Sequence, residues 1–298
     1  MIDPSFGLPT IQKLWRLWTL TFGIGLATLP AINLFWPWSC EAAAQSRSVE
    51  PVPPLPDTEI SVSGPFKAWL IQPTTRYNHA VLGDEVEAGG LVVEHARRRL
   101  VFTLPADAVF EDRRVRLADL DGDGIPEAIV VKAYLERGAA IAVYRILPDR
   151  IEPLAESPAI GIRNRWLNPV GIADFTGTGE PMIAAVITPH LAGSLRLYRL
   201  RAGSLEELAR LDGYTNHILG SRDLDLGWVV RLSGRDPPLI ILPTRDRNSI
   251  SMISFQDANP RIVRQWSVNA RIDGLRIEDG SRVRLSTSSG VRLIDLVK

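Results

Sequence analysis

From residue 58 onward the chain is a succession of short stretches in which apolar and polar residues alternate, separated by clusters of Gly, Asp, Asn and Pro. A period of two places side chains on opposite faces of a strand, and no long 3.6-residue period interrupts it, so the pattern predicts an all-β fold. The stretches fall into units of four. KAWLIQ, YNHAVLG, LVVEH and RLVFTL make the first (66–110), and VRLAD, AIVVKAY, AAIAVYRI and RIEPLAE the second (111–160). PVGIAD, PMIAAVIT, SLRLYR and LEELARLD make the third (164–213), and VVRLSG, PPLIILPT, SISMISF and RIVRQWSV the fourth (224–269). The fifth (270–298) has only LRIED, RVRLSTS and VRLIDLV, and EISVS, within 58–64, is available as its missing strand. The expectation is a ring of five small sheets that the two ends of the domain (58–298) close together, which would remove exposed sheet edges.

One connection inside this pattern carries a specific chemistry. Residues 116–131 read RLADLDGDGIPEAIVV. Asp119, Asp121 and Asp123 stand at alternate positions of a tight loop, Gly124 permits its sharp turn, Ile125 offers a carbonyl, and Glu127 closes it. Hard oxygen ligands on a curled backbone suit calcium. The first half is that of an EF-hand, but Val130 stands where the bidentate Glu would be, and AIVV reads as a strand. The frame recurs in GIADFTGTGEPMIAAV (171–186): Asp174, Gly177, Gly179 and Pro181 are kept, whereas Thr176, Thr178 and Met182 replace ligands. This second loop is expected to hold metal weakly or not at all. A repeat at this spacing is typical of propellers and solenoids.

These residues resemble the FG-GAP or VCBS repeat loop, DxDxDGxxD/E between two strands of a β-propeller blade. The resemblance is complete in the first loop, limited to the frame in the second, and carried elsewhere only by strand rhythm. It implies a five-bladed β-propeller whose last blade is closed by the N-terminal strand of the mature chain; a seven-bladed ring completed by a partner chain is a weaker alternative. It also implies Ca2+ bound by Asp119, Asp121, Asp123, the Ile125 carbonyl and Glu127. Members of this family are frequently exported binding or adhesion proteins, which implies a fold and a habit of binding and no particular reaction.

The first residues are a targeting signal. Lys13 and Arg16 precede an apolar run at 17–38, and Ala42 and Ala44 fit a signal-peptidase site. Residues 1–44 are therefore expected to be a signal peptide, or else an N-terminal membrane segment. The protein would be periplasmic or secreted, or alternatively anchored to the inner membrane. Residues 45–57 (SRSVEPVPPLP within them) read as a Pro-rich, extended linker free of core residues. The formal net charge is zero, which gives no field drawing the chain to nucleic acid or anionic lipid. Arginine far outnumbers lysine, which reads as codon bias. Cys40 is the only cysteine, so the mature chain forms no disulfide.

Three histidines share a local signature, in YNHAVLG (His79), TPHLAG (His190) and TNHILG (His217). They are either a converging ligand site or a recurrent turn that bonds to the backbone. His79 and His190 sit at the end of expected second strands and His217 comes after an expected fourth, so a single rim for all three is not implied. His95, in an expected third strand, reads as ordinary. Trp69, Trp166, Trp228 and Trp266 recur about once per unit and read as core. The sequence contains no GxSxG, HExxH, P-loop or CxxC motif. The expected function is a calcium-braced, non-catalytic binding or scaffold module in the cell envelope, for a polysaccharide, an envelope protein or an exported solute. The alternative is a calcium-dependent hydrolase or lyase acting on carbohydrate.

Overall fold

Period-two alternation is realised throughout as β-strand in the computed structural model, which describes residues 52–297. The expected export segment 1–44 and most of the expected linker lie outside these residues. The described part contains no α-helix, and no helix long and apolar enough to cross a membrane. The first antiparallel meander is β1 (Ser61–Ser63), β2 (Phe66–Thr74), β3 (Glu87–His95) and β4 (Arg98–Thr103). A short β5 (Ala108–Phe110) pairs with β3 on one side and with the next meander on the other. That second meander is β6 (Arg116–Ala118), β7 (Glu127–Tyr134), β8 (Gly138–Ile146) and β9 (Ile151–Glu156). The third comprises β10 (Leu167–Ala173), β11 (Met182–Ile187), β12 (Ser194–Arg201) and β13 (Ser204–Asp212). The fourth comprises β14 (Trp228–Val230), β15 (Leu239–Pro243), β16 (Ser249–Ser254) and β17 (Arg261–Ser267). Three strands make the fifth, β18 (Ile272–Ile277), β19 (Arg282–Thr287) and β20 (Gly290–Asp295).

The second strand of each middle meander is apolar almost throughout because both of its faces are covered. In β7, Ile129, Val131 and Ala133 enter a core shared with the third meander, while Ala128 and Val130 enter one shared with the first. β11 repeats this: Ile183, Ala185 and Ile187 face the second meander, and Met182, Ala184 and Val186 face the fourth. In β15, Ile240 and Leu242 face the third meander, and Leu239 and Ile241 the fifth. Burial on both faces turns alternation into a continuous apolar run. The fourth strands β13 and β17 alternate because they lie at the exposed edge.

Three expectations from the sequence are corrected. The strand around 59–63 does not complete the fifth meander: Ser61–Ser63 pairs with β2, and among the described residues β20 pairs only with β19. Gly64, at φ +53°, closes a two-residue turn between Ser63 and Phe66, so a local hairpin forms in place of pairing across the whole domain. No sheet is closed, and no apolar cluster is shared between the first and fifth meanders among the described residues. Second, YNHAVLG is a loop between β2 and β3. Its apolar Tyr77, Val81 and Leu82 all point into one core instead of alternating. Third, the described end of the linker is not free of the core. Leu55 is buried and its N–H donates to the Leu70 carbonyl at 2.8 Å.

Candidate functional site

The loop 119–127 joins β6 to β7, as expected, and its strands rather than a helix follow it. Asp119 Oδ1 accepts from the Gly122 N–H (2.8 Å) and Oδ2 from the Gly124 N–H (2.9 Å). Gly122 and Gly124 both lie in the left-handed region, at φ +80° and +85°. Asp119, Asp121 and Glu127 bring carboxylate oxygens within 4.8 Å of one another. Asp123 is not in that group. Its Oδ1 accepts from the Ile125 N–H at 2.7 Å. The buried Glu127 accepts from the Leu120 N–H at 2.8 Å. Burial pushes its carboxyl up to about 7; the Leu120 bond works against this, and the charges of Asp121, Asp123 and Asp119 add to it. Arg145 donates to Asp121 Oδ2 at 2.8 Å. Clustered hard oxygens, with a carboxylate raised by burial and then by its like-charged neighbours, fit a divalent cation, and Asp119, Asp121 and Glu127 would hold it.

The second loop shows the same frame without the charges. Gly177 and Gly179 take φ +82° and +85°, and Asp174 accepts from four main-chain N–H groups, those of Thr176, Gly177, Thr178 and Gly179. Burial opposes ionisation of Asp174, but these bonds, Gly179's foremost, outweigh it and hold the carboxyl below its ordinary value. The Thr176 hydroxyl lies 2.9 Å from that of Thr178 and donates to the Met182 sulfur. The interior of this loop is thus filled by its own side chains.

The three similar histidines lie at the opposite ends of the strands from the acidic loop. In an antiparallel meander the connection after the second strand and the one after the fourth emerge at the same end. His79 lies between β2 and β3, His190 between β11 and β12, and His217 between β13 and β14, and all three come together around Trp166. His190 Nε2 is 2.9 Å from His217 Nδ1, and His217 Nε2 is 2.9 Å from the Ser221 carbonyl. A carbonyl only accepts, so His217 carries its proton on Nε2 and His190 donates to its Nδ1. Burial lowers both imidazoles to about 4: His190 also feels His217 and His79, while the Ser221 bond and Asp223 partly offset the effect at His217. Trp166 stacks parallel to His190 with centroids 6.0 Å apart, meets His217 edge-on at 4.7 Å, and donates its Nε1–H to the Glu111 carbonyl at 2.9 Å.

His79 Nδ1 lies 2.7 Å from Oε1 of the fully buried Glu111. Burial raises the Glu111 carboxyl well above the carboxylate range, and Asp112 adds to this; burial and then Arg165 lower His79. Both effects favour a neutral pair in which the carboxyl donates to Nδ1. The loops are pinned from behind. Gly193, at φ +66°, accepts from the N–H groups of Gly213 and Tyr214 (2.8 and 2.9 Å), so the His190 loop rests directly on the chain leading to His217.

Two adjoining cavities open here. One, about 180 Å³, is lined by His79, Asn164, Trp166 and His190 among others. The larger, about 690 Å³, is lined by His190, Thr215, His217, Arg245, Arg247 and Arg271, with Leu191 and Leu219 common to both. Sequence reasoning named the histidines but missed Glu111 and the arginines, whose only signal was the Arg-rich turn TRDRNS, taken with the rest as codon bias. Trp69 and Trp166 are core, as expected, and His95 stacks on Phe66 with centroids 4.1 Å apart. A scan against protein-family models and a search of curated proteins return no match for this chain.

Proposed function

We propose that this chain is a non-catalytic binding module of the cell envelope, built as a five-bladed β-propeller of the FG-GAP or VCBS type and braced by calcium at Asp119, Asp121 and Glu127. Two repeated loop frames and five successive meanders joined by four shared cores support the propeller reading. Its blades would be β1–β4, β6–β9, β10–β13, β14–β17 and β18–β20, without strand exchange between the ends. The observation that carries a binding role is the convergence of His79, His190 and His217 beside an open cavity, with no hydroxyl or thiol nucleophile among the described residues bonded to any of their ring nitrogens. His190 and His217 are spent on each other and on a carbonyl, which suits a rigid recognition surface. The ligand would be a polysaccharide, an envelope protein or an exported solute.

The test is a glycan array on the folded domain, with calcium and with chelator, repeated for His190→Ala. Binding lost in the variant supports capture at this cavity; absence of any glycan signal removes the polysaccharide and leaves the other two partners. A second reading rests on the His79–Glu111 pair, a buried carboxyl against an imidazole, which is the equipment of a general acid–base in a carbohydrate hydrolase or lyase. Release of new reducing or unsaturated ends from polysaccharide, abolished by Glu111→Gln, would establish that reading over the first.

A further inference from the structure

We infer that the larger cavity is a specific site for an amphiphilic organic anion, a carboxylate or phosphate monoester on a short apolar body. This deepens the binding role proposed above and rests on it. Three guanidinium-bearing residues, Arg245, Arg247 and Arg271, line the cavity, and among the described residues no carboxylate lines it with them. The chain as a whole has zero formal charge, so this concentration is local. Arginine presents a planar fork of donors that matches carboxylate and phosphate oxygens.

The fork is held in place before any ligand arrives. Arg247 is buried and takes φ +58° in the turn between β15 and β16. Its N–H donates to the Thr244 carbonyl (2.8 Å), and its own carbonyl accepts from Ile272 (2.8 Å). Its guanidinium donates to the Ile272 carbonyl at 3.2 Å and to Asp273 Oδ1 at 3.3 Å. Asp273 also lies 3.8 Å from Arg271, so one half-exposed carboxylate serves two cations. Burial, and after it the charge of Arg271, hold the Arg247 guanidinium below its ordinary value, with Asp273 acting against them. The exposed Arg245 side chain has neither an ion pair nor a hydrogen bond among the described residues; only its main-chain N–H is used, donating to the Gly213 carbonyl.

The apolar residues of the lining supply the second half of the specificity. Pro189, Leu191, Ile218 and Leu219 border the same cavity, and Leu191 and Leu219 are 50% and 66% exposed. Two leucines left in water on the histidine loops, in the same cavity as three arginines, select for a ligand with an acidic head and an apolar body. The neutral imidazoles of His190 and His217, bonded to each other and to the Ser221 carbonyl, border the cavity without adding charge.

The experiment is calorimetric titration of the folded domain with hexanoate, hexyl phosphate, acetate and the uncharged hexyl glucoside. Hexanoate or hexyl phosphate should bind at least tenfold more tightly than hexyl glucoside, the stronger of the two naming the headgroup, and more tightly than acetate. Arg245→Gln should weaken that binding at least fivefold with an unchanged melting temperature, since its side chain holds nothing in the fold. Leu219→Ser should remove the advantage of the hexyl anions over acetate. Equal binding of hexyl glucoside, no binding of either hexyl anion, or full affinity in Arg245→Gln would overturn the inference. A positive glycan array alongside any of these would leave the binding module standing and remove only its anionic ligand.

Discussion

Single residues set the two chemistries of this molecule through burial and like charge. At the acidic loop, three carboxylates within 4.8 Å repel one another, and a cation that joins them removes that repulsion. With a dissociation constant of about 10⁻⁴ to 10⁻³ M, as for extracellular calcium modules, and free calcium a hundredfold higher, stabilisation is about 2.7 kcal/mol. For a domain of this size that corresponds to a rise in melting temperature of roughly 5–10 °C. Asp121→Ala is expected to abolish the rise; equal melting curves of the wild type in calcium and in chelator would remove the metal from the account. At the histidines the linkage runs through protons. His190 and His217 fall from 6.5 to about 4 on folding. Above 6.5 they are neutral in both states. As pH falls from 6.5 toward 4 these two side chains take up protons in the unfolded chain that they refuse in the folded one, so their contribution to stability declines across that window. Glu87, Glu111 and Glu127, held above the carboxylate range, act in the opposite sense over the same window. The histidine contribution is therefore read as a difference: between urea titrations at pH 7.5 and pH 5, His217→Gln should lose less stability, or gain more, than the wild type. An identical pH response in the two would remove His217 from the account.

At the scale of the element, what matters is how each connection is held. The two loop frames, 119–127 and 174–182, share glycines at the same left-handed angles and an aspartate that collects main-chain N–H groups. A methyl group at Gly124 would meet open space, so Gly124→Ala costs only the backbone term, about 1–2 kcal/mol. At Gly193 it would lie 1.9 Å from the Tyr214 carbonyl oxygen. Gly193→Ala therefore forces the His190 loop off its neighbour, at a total of about 2–5 kcal/mol. The ordering of these two losses in chemical denaturation is the prediction, and a reversed order would mean that the histidine loops are not packed as described. The acidic motif was legible because its chemistry lies in consecutive residues. The histidine site was legible only as a recurring signature, because its members come from three connections whose common end is a property of strand direction. Glu111 and the arginines were not legible: nothing next to Glu111 in the chain announces His79, and Arg245, Arg247 and Arg271 read as part of a compositional excess.

For the whole molecule, five meanders are joined in order by four apolar cores, while the first and the later ones are tied by charge. Arg114 pairs with Asp225 and reaches Glu59, Arg222 pairs with Asp57 and Asp84, and Arg276 pairs with Asp223. Asp225→Asn leaves the half-buried Arg114 without its main partner and is expected to destabilise the domain by about 1–2 kcal/mol, between the worth of a surface pair and a buried one. Unfolding midpoints that do not move would place the join elsewhere. The sequence by itself determined the strands of the second, third and fourth units, three strands each of the first and the fifth, and the acidic loop, because period-two burial and turn chemistry act between near neighbours in the chain. It also pointed to the three histidines. Only the tertiary structure decided that Ser61–Ser63 folds back on β2 and leaves β20 with one partner, because that choice weighs a two-residue turn against a pairing across the whole domain. The same holds for the cavity that His190, His217 and three arginines share: it exists only where separate sheets set the same ends of their strands side by side.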